Sequence, residues 1–318
     1  MSNKSIYINS TGVKPGESKV VNLNIARLIS GTVIDLPIYV FRSKVSGPIV
    51  LLSGGLHGDE VDGVEIIRRL IKENTLVNLN RGTVIAIPVM NIYGFLNYSR
   101  EVPDGKDINR SFPGSIHGSL ASRMAHHLTR SVLTEIDFGI DFHTGGANRY
   151  NFPQIRFYEN DPKAKEIAGL FNAPISLSSN LIDKSLRKEA YKMGKSIVVY
   201  EGGESMRFDQ NSIQQGILGA KKVLQHLGML DKTIQLKENQ SIHCNTSTWV
   251  RAKNSGLLQL KCNSGEQVKK KQVLAIITDP FGQFETKIKA PDNAVIIGHS
   301  NAPLVNQGDA LFHLGKID

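Results

Sequence analysis

The sequence is poor in cysteine and contains no long apolar run. Only two cysteines occur among the 318 residues, Cys244 and Cys262, and neither has a second cysteine nearby. A disulfide framework and a cysteine-based zinc site are therefore not indicated, and we interpret both residues as buried free thiols. No apolar stretch reaches the length of a membrane-spanning helix, and the first residues lack the apolar segment of a signal peptide. We therefore expect a soluble, cytoplasmic protein with no membrane partner.

Nucleic-acid-binding motifs are also absent, although the chain is basic. Lysine and arginine outnumber aspartate and glutamate by 38 to 29, which gives a net charge of +9. A basic surface attracts anions and speeds their encounter with the protein. The basic runs at residues 68–69 and 269–271 are short and have no interleaved aromatic residues, so we expect no nucleic acid partner. Small carboxylate substrates account for the same charge.

Strand and helix patterns alternate between residues 32 and 230. Short β-branched runs, such as residues 48–54 and 196–201, are separated by segments with helical periodicity, such as residues 61–73. In that helical segment the apolar residues recur on one face. This alternation predicts an α/β fold with a mixed, largely parallel sheet flanked by helices.

The pattern changes after residue 235. Short strand-like runs separated by glycine, asparagine and proline continue to the end, with no helical pattern. We therefore predict a large α/β domain at residues 1–235 and a small β domain, a sandwich or barrel, at residues 236–318. The small domain resembles the biotinyl/lipoyl hammerhead fold. Its predicted hairpin tip at residues 279–283 contains no lysine, so the resemblance concerns shape and does not imply lipoylation.

Residues capable of chemistry follow three of the predicted strands. His57 and Glu60 follow one strand, His143 ends a second and Glu201 ends a third. Because ligands bind beyond the carboxyl ends of strands in open α/β sheets, we expect these side chains to meet. Two histidines and a carboxylate suit catalytic zinc, and a second carboxylate would then act as the base. Taken singly, each residue also has an ordinary explanation, as a polar strand end or the cap of a turn.

Arginine and asparagine lie together in the loop that contains DINRSFPG. Asn109 is adjacent to Arg110 there, and Arg100 lies earlier in the same loop. A guanidinium beside an amide suits fork-like recognition of a carboxylate. The alternative is that either arginine pairs with a nearby aspartate, Asp104 or Asp107, as an ordinary surface ion pair.

The motifs GGLHGDE, KDINRSFPG, DFHTGG and VVYEGGE, in this order, resemble the aspartoacylase and succinylglutamate desuccinylase branch of the zinc carboxypeptidase superfamily. The likeness covers essentially the whole chain and is especially close to branch members that deacylate N-acetylated diamino acids. It implies a zinc carboxypeptidase-like catalytic domain at residues 1–235. It also implies one zinc ion per chain, bound by His57, Glu60 and His143.

The same resemblance implies roles for further residues. Glu201 would be the general acid and base, Asn109 and Arg110 would hold the substrate carboxylate, and Arg100 would help to polarise the scissile carbonyl. An additional acid in the VVYEGGE motif, Glu204, suits either a basic substrate group or, in our interpretation, a surface carboxylate.

The implied reaction is hydrolysis of the amide bond of a small, anionic N-acyl amino acid or a related N-acylated amine. The C-terminal β domain would lean over the mouth of the site and exclude long peptides. Two alternatives remain open: a zinc carboxypeptidase acting on short peptides, and a non-catalytic binding protein with the same fold. Iron, cobalt or manganese would also suit the ligand set. The sequence allows a homo-oligomer and does not identify the acyl group or the amine.

Overall fold

A computed structural model of the chain describes residues 5–231 and 237–317. Helices in these residues are α1 (Val61–Lys72), α2 (Ile92–Asn97), α3 (Leu120–Leu128), α4 (Pro162–Phe171), α5 (Leu186–Lys192) and α6 (Gln210–His226). Strands before residue 231 are β1 (Ile6–Ile8), β2 (Thr11–Val13), β3 (Ser18–Arg27), β4 (Val33–Arg42), β5 (Ile49–Gly54), β6 (Thr83–Ile87), β7 (Phe138–Gly145), β8 (Arg149–Phe157), β9 (Ile175–Ser178) and β10 (Ser196–Glu204). Strands after residue 237 are β11 (Ile242–Cys244), β12 (Ser247–Arg251), β13 (Gly256–Leu260), β14 (Gln267–Val268), β15 (Val273–Thr278), β16 (Glu285–Lys289), β17 (Ala294–Ser300), β18 (Leu304–Val305) and β19 (Ala310–Lys316).

One mixed sheet of 13 strands organises the molecule. Its centre consists of four parallel strands in the order β10, β7, β5 and β6. Strands β4 and β3 extend the β6 side in antiparallel fashion, and β8, β17, β19 and β12 extend the β10 side. The predicted α/β fold with a mixed, largely parallel sheet flanked by helices is therefore confirmed. The predicted reactive residues stand at the carboxyl ends of β5, β7 and β10. Because these three strands are neighbours and run parallel, their carboxyl ends, and therefore these residues, lie at one edge of the sheet.

Packed layers cover both faces of the parallel centre. Val50 and Leu52 of β5 face one core, to which α1, α4 and α6 contribute apolar residues. Leu51 faces the opposite core, which contains apolar residues of α3 and α5. Because both faces of the sheet are buried here, the sequences of β5 and β6 are nearly continuous apolar runs and do not alternate between apolar and polar residues.

Some elements that the periodicity did not predict are also present, and β8 is the one that matters for the site. Its sequence, RYNFPQIRF, has a proline at its centre, which argues against an interior strand because proline cannot donate a backbone hydrogen bond. Pro153 is accommodated where the register with β10 shifts, between the pairs Glu201↔Gln154 and Gly203↔Asn151. A proline at a bulge therefore does not interrupt this strand.

The C-terminal strands both form a sheet of their own and join the main sheet. Strands β16, β15, β13 and β18 make a four-stranded antiparallel sheet, and an apolar core lies between it and β17, β19 and β12. Strand β17 pairs with β8, and β11 pairs with β9. The predicted boundary at residues 235 and 236 lies outside the described residues, and the division into two domains stays a prediction. Cys244 and Cys262 are both buried, as expected, and no disulfide joins them within the described residues.

No helix within residues 5–231 and 237–317 is both long and apolar enough to cross a bilayer.

Candidate active site

A short turn after β5 delivers two of the predicted reactive side chains. The chain leaves β5 at Gly54, and the backbone N–H of Glu60 donates to the carbonyl of His57 at 3.2 Å, immediately before α1. This three-residue spacing places both side chains on the same side of the turn. Gly58 lies so close to Gly94 of α2 that an added Cβ would stand 1.9 Å from the Gly94 carbonyl carbon. The glycine-rich exit of the strand is thus a steric requirement of the turn.

His57, Glu60 and His143 converge on one point. Glu60 Oε1 lies 2.8 Å from His57 Nδ1, and Glu60 Oε2 lies 2.7 Å from His143 Nδ1. The two Nδ1 atoms are 3.2 Å apart. All three side chains are buried, with at most 4% of each residue exposed. Donor atoms of these residues lie within 4.8 Å of one another, an arrangement that could hold a metal ion.

Carboxylates behind both histidines determine where the ring lone pairs point. Asp141 Oδ2 lies 2.7 Å from His143 Nε2, and Asp107 Oδ1 lies 3.4 Å from His57 Nε2, an atom with no hydrogen-bond partner of good geometry among the described residues. With the ring hydrogens at Nε2, both Nδ1 lone pairs face the Glu60 carboxylate. Such a convergence of lone pairs fits a cation, and the carboxylate–histidine pairs are typical of metal ligands.

The separations also fit a metal. Ligands about 2.0–2.1 Å from a tetrahedral zinc ion stand about 3.3 Å from one another. The observed separations of 2.7, 2.8 and 3.2 Å are close to that value. Burial disfavours ionisation of Glu60, but the neighbouring imidazoles outweigh it and hold the pKa of this carboxyl well below its ordinary value. Glu60 is therefore anionic at neutral pH.

Arg100 lies directly beside this cluster. Its Nη1 atom is 3.2 Å from His57 Nδ1 and 3.5 Å from Glu60 Oε1. Its Nε and Nη2 atoms donate to Asp107 Oδ2 at 3.1 and 2.8 Å. The alternative expectation, an Arg–Asp ion pair, is therefore present for Arg100, but the pair adjoins the cluster and is not an isolated surface pair. Burial opposes the charge on Asp107, yet His57 and Arg100 hold its pKa well below the ordinary value.

Asn109 and Arg110 line the same cavity as the cluster. The Asn109 Oδ1 atom accepts a hydrogen bond from the backbone N–H of Leu186 at 2.9 Å, which ties the loop to the start of α5. Arg110 is exposed, and its Nη1 atom donates to the Asn109 carbonyl at 2.7 Å. A guanidinium has five N–H donors, so this bond leaves Arg110 further donors at the cavity wall.

Glu201 is placed next to the cluster by strand pairing. It lies opposite His143 in the parallel register of β10 and β7. Its Oε2 atom accepts from Asn151 Nδ2 at 2.8 Å, and its Oε1 atom lies 3.2 Å from Arg156 Nη1. The structure thus brings Glu201 into the cavity with all six other predicted site residues.

Several residues of the site were not predicted. Asp141 had a usable signal, because it stands two residues before His143 on the same face of a strand. Asn151 and Arg156 were missed because β8 was missed. Asp107 was considered only as a surface partner of an arginine, and Trp249 reaches the cavity only through tertiary pairing.

Glu204 is not the surface carboxylate that we expected. It is 9% exposed and accepts a hydrogen bond from Asn301 Nδ2 at 2.7 Å. This bond ties the end of β10 to the segment that follows β17. Burial is the physical reason for the difference, since the C-terminal strands cover this end of β10.

The cavity has the size of a small-molecule site and a strongly basic wall. Its volume is about 430 Å³. Acidic groups in the wall are Glu60, Asp141 and Glu201. The arginines in the wall are Arg100, Arg110, Arg149, Arg156 and Arg187. Burial, and next the charge of Arg156, lower the pKa of Arg187 to about 10, which leaves it cationic at neutral pH.

Residues 46–227, more than half of the chain, match the model of the succinylglutamate desuccinylase/aspartoacylase catalytic domain. The chain therefore belongs to the succinylglutamate desuccinylase/aspartoacylase family. A curated relative from Halomonas elongata, N-alpha-acetyl-L-2,4-diaminobutyric acid deacetylase, is 27% identical over 301 residues, which cover 89% of this chain and 86% of the relative.

Solved structures resemble this one over nearly its full length. The product-bound ectoine utilization protein EutE (DoeB) from Ruegeria pomeroyi has a TM-score of 0.83 at 25% identity and covers 94% of each chain. A succinylglutamate desuccinylase/aspartoacylase from Rhodobacter sphaeroides has a TM-score of 0.84 at 25% identity, covering 95% of this chain and 96% of the other. The likeness includes the C-terminal strands, which the family model does not reach.

Proposed function

We propose that this protein is a zinc-dependent hydrolase that cleaves the amide bond of a small, anionic N-acyl amino acid or a related N-acylated amine. The observation that carries the proposal is the buried cluster of His57, Glu60 and His143 beside Glu201 in a basic cavity. Membership of the desuccinylase/aspartoacylase family and the deacetylase name of the Halomonas relative support it.

His57, Glu60 and His143 would hold the metal. A divalent ion there would supply Lewis acidity, which polarises a carbonyl and makes water a stronger acid. Glu201, a side chain at the cavity wall, would accept the proton of the attacking water and later return it to the leaving amine. The tetrahedral oxyanion of the substrate would lie within reach of Arg100, whose fixed positive charge stabilises it more than the neutral carbonyl.

Asn109 and Arg110 would bind the carboxylate of the substrate. The Asn109 oxygen is already used by the Leu186 N–H, so its Nδ2 group would be the donor to the substrate. Arg110 would add one or two charge-assisted hydrogen bonds from its exposed guanidinium. Holding the carboxylate in this way would place the amide of the substrate over the cluster of His57, Glu60 and His143.

The charge of the cavity favours an anionic substrate over a diamino one. Five arginines and three carboxylates line it, and Glu60 and Asp141 are occupied by the histidines. The side-chain ammonium group of an N-acyl diamino acid would therefore meet more positive than negative charge. We infer that N-acyl derivatives of acidic or neutral amino acids are preferred to those of 2,4-diaminobutyrate.

The test is release of free amine from a panel of N-acyl amino acids. The panel combines acetyl, succinyl and formyl groups with aspartate, glutamate, alanine and 2,4-diaminobutyrate, and includes short peptides. Activity is measured as purified, after chelation, and after zinc is restored. Chelator-sensitive release from acyl amino acids is the expected result. Cleavage of peptides alone would indicate a carboxypeptidase instead, and zinc binding without any turnover would favour a binding protein.

A further inference from the structure

Trp249 forms part of the cavity wall although it belongs to the C-terminal strands. It is the single tryptophan of the chain. The residue is 39% exposed and lies on β12. Among the cavity-lining residues in the described parts of the chain, it is the one that follows residue 237. An aromatic side chain with this exposure, inside a cavity lined mainly by charged and polar residues, offers an apolar surface to a ligand.

A buried histidine fixes the indole from one side. His313 lies directly opposite Trp249 in the antiparallel pairing of β12 with β19. The two rings stack with centroids 4.5 Å apart and an angle of 7° between their planes. His313 is 5% exposed, and its Nε2 atom bonds Ser247 Oγ at 2.8 Å. Burial, and then the charge of Arg156, lower the pKa of His313 to about 3, so the ring is neutral.

Arg149 connects the indole to the loop that follows His143. The Arg149 guanidinium carbon lies 6.0 Å from the centroid of the Trp249 ring, within the range of a cation–π contact. The Arg149 Nε atom donates to the Gly146 carbonyl at 3.0 Å. Both Arg149 and Gly146 line the cavity. The indole is therefore held by contacts with two separate parts of the chain.

Continuous strand pairing fixes the distance between Trp249 and the proposed base. Strand β12 pairs with β19, β19 with β17, β17 with β8, and β8 with β10, which carries Glu201. A hydrogen-bonded sheet of this kind keeps the indole in place without a flexible linker. Trp249 is thus preorganised and does not need to be ordered when a ligand binds.

We propose that Trp249 is a specificity-determining residue that packs against the aliphatic part of the bound substrate. The proposal rests on the proposed function, because it concerns the same cavity. Guanidinium groups in the wall would hold the carboxylates of the substrate, whereas its methylene or methyl groups need an apolar surface. The indole provides that surface. Since this contact is the same in the ground and transition states, its loss would affect KM far more than kcat.

The first experiment compares three variants on the best substrate of the amine-release panel. Trp249→Ala is expected to raise KM about tenfold with kcat within about twofold of the wild type, because uniform binding is lost. Trp249→Phe keeps an aromatic surface and is expected to remain within about threefold in KM. Phe284→Ala is the matched control, since Phe284 is also 39% exposed, immediately before β16, but is not among the residues that line the cavity; its kinetics should not change.

The second experiment uses the emission of the single tryptophan in zinc-loaded Glu201→Gln protein. Titration with the same panel compound is expected to change the emission with a saturable dependence on concentration. An unchanged emission, or a Trp249→Ala variant with a KM within twofold of the wild type, would overturn the role of Trp249. If Trp249→Ala does not fold, the emission titration still decides. If no panel compound is hydrolysed, it is the proposed function that fails, whereas hydrolysis with unaffected variants refutes only the role of Trp249.

Discussion

Replacing Asp141 by asparagine should weaken metal binding without disturbing the fold. Asp141 is 2% exposed, and its Oδ2 atom lies 2.7 Å from Nε2 of His143. Its Oδ1 atom accepts from the hydroxyl of Ser53 at 2.8 Å. Asparagine has the same shape and can keep one of these bonds, so the side chain should stay in place. What the substitution removes is the negative charge behind the ring.

That charge matters because it increases the basicity of His143. Burial alone would lower the pKa of His143, but Asp141 and Glu60 together raise it well above its ordinary value. A more basic imidazole is a better donor to a metal ion, and loss of such a carboxylate typically reduces metal affinity about 10- to 100-fold. We therefore expect the zinc dissociation constant of Asp141→Asn to rise by this factor, which corresponds to about 1.4 to 2.8 kcal/mol.

The assay is competition for zinc with a chromophoric chelator, together with thermal unfolding of the metal-free protein. Ser53→Ala is the control, because it removes a neighbour of Asp141 and leaves its charge; we expect a change of less than about threefold in zinc affinity. Zinc affinity of Asp141→Asn within threefold of the wild type would refute the reasoning. So would an equal loss in Ser53→Ala, since the effect would then come from packing and not from charge.

Three further predictions concern catalysis, backbone strain and pH. Glu201→Gln should keep its zinc content but lose about 10²- to 10⁴-fold in kcat, which stopped-flow or endpoint amine release would measure. Ala147 has a φ of +54° in the turn between β7 and β8, so Ala147→Gly should raise the free energy of unfolding by about 1 kcal/mol in urea denaturation; an unchanged or lower value would contradict this. The pKa of His313 is about 3 in the folded protein and about 6.5 in the unfolded chain. As the pH falls below about 6.5, His313 therefore binds a proton in the unfolded chain but not in the folded protein. Stability should therefore decline from pH 6.5 to pH 5 by about 1.6 kcal/mol through this residue; His313→Phe should remove that part of the decline and exposed His226→Gln should not.

Much of the site could be predicted because its signals are local. The turn from His57 to Glu60 is closed by a hydrogen bond from the Glu60 N–H to the His57 carbonyl, three residues earlier, so its geometry is local. His143 and Glu201 each end an apolar run, and parallel strands carry their carboxyl ends to one edge of a sheet. The motifs DFHTGG and VVYEGGE are likewise continuous in the chain.

Residues that support these groups could not be predicted in the same way. Asn151 and Arg156 belong to a strand whose central proline lowers its strand propensity, and only the bulge opposite Pro153 makes the pairing possible. Glu204 follows the proposed base by three residues, and its burial depends on a contact with Asn301, almost one hundred residues away.

By itself, the sequence determined the strand and helix segments of the α/β layers. It also determined that four reactive residues stand at the ends of strands: His57, Glu60, His143 and Glu201. Hydrophobic periodicity and turn chemistry act over a few residues, so they can be read directly from the chain. The tertiary structure alone decided that Asp107 and Asp141 stand behind the histidines as a pair, and that Trp249 reaches the cavity wall through four successive strand pairings. These contacts depend on the register of strands that are distant in the chain. The backbone hydrogen bonds that pair such strands are the same for every residue type, so the sequence does not reveal which strands are paired.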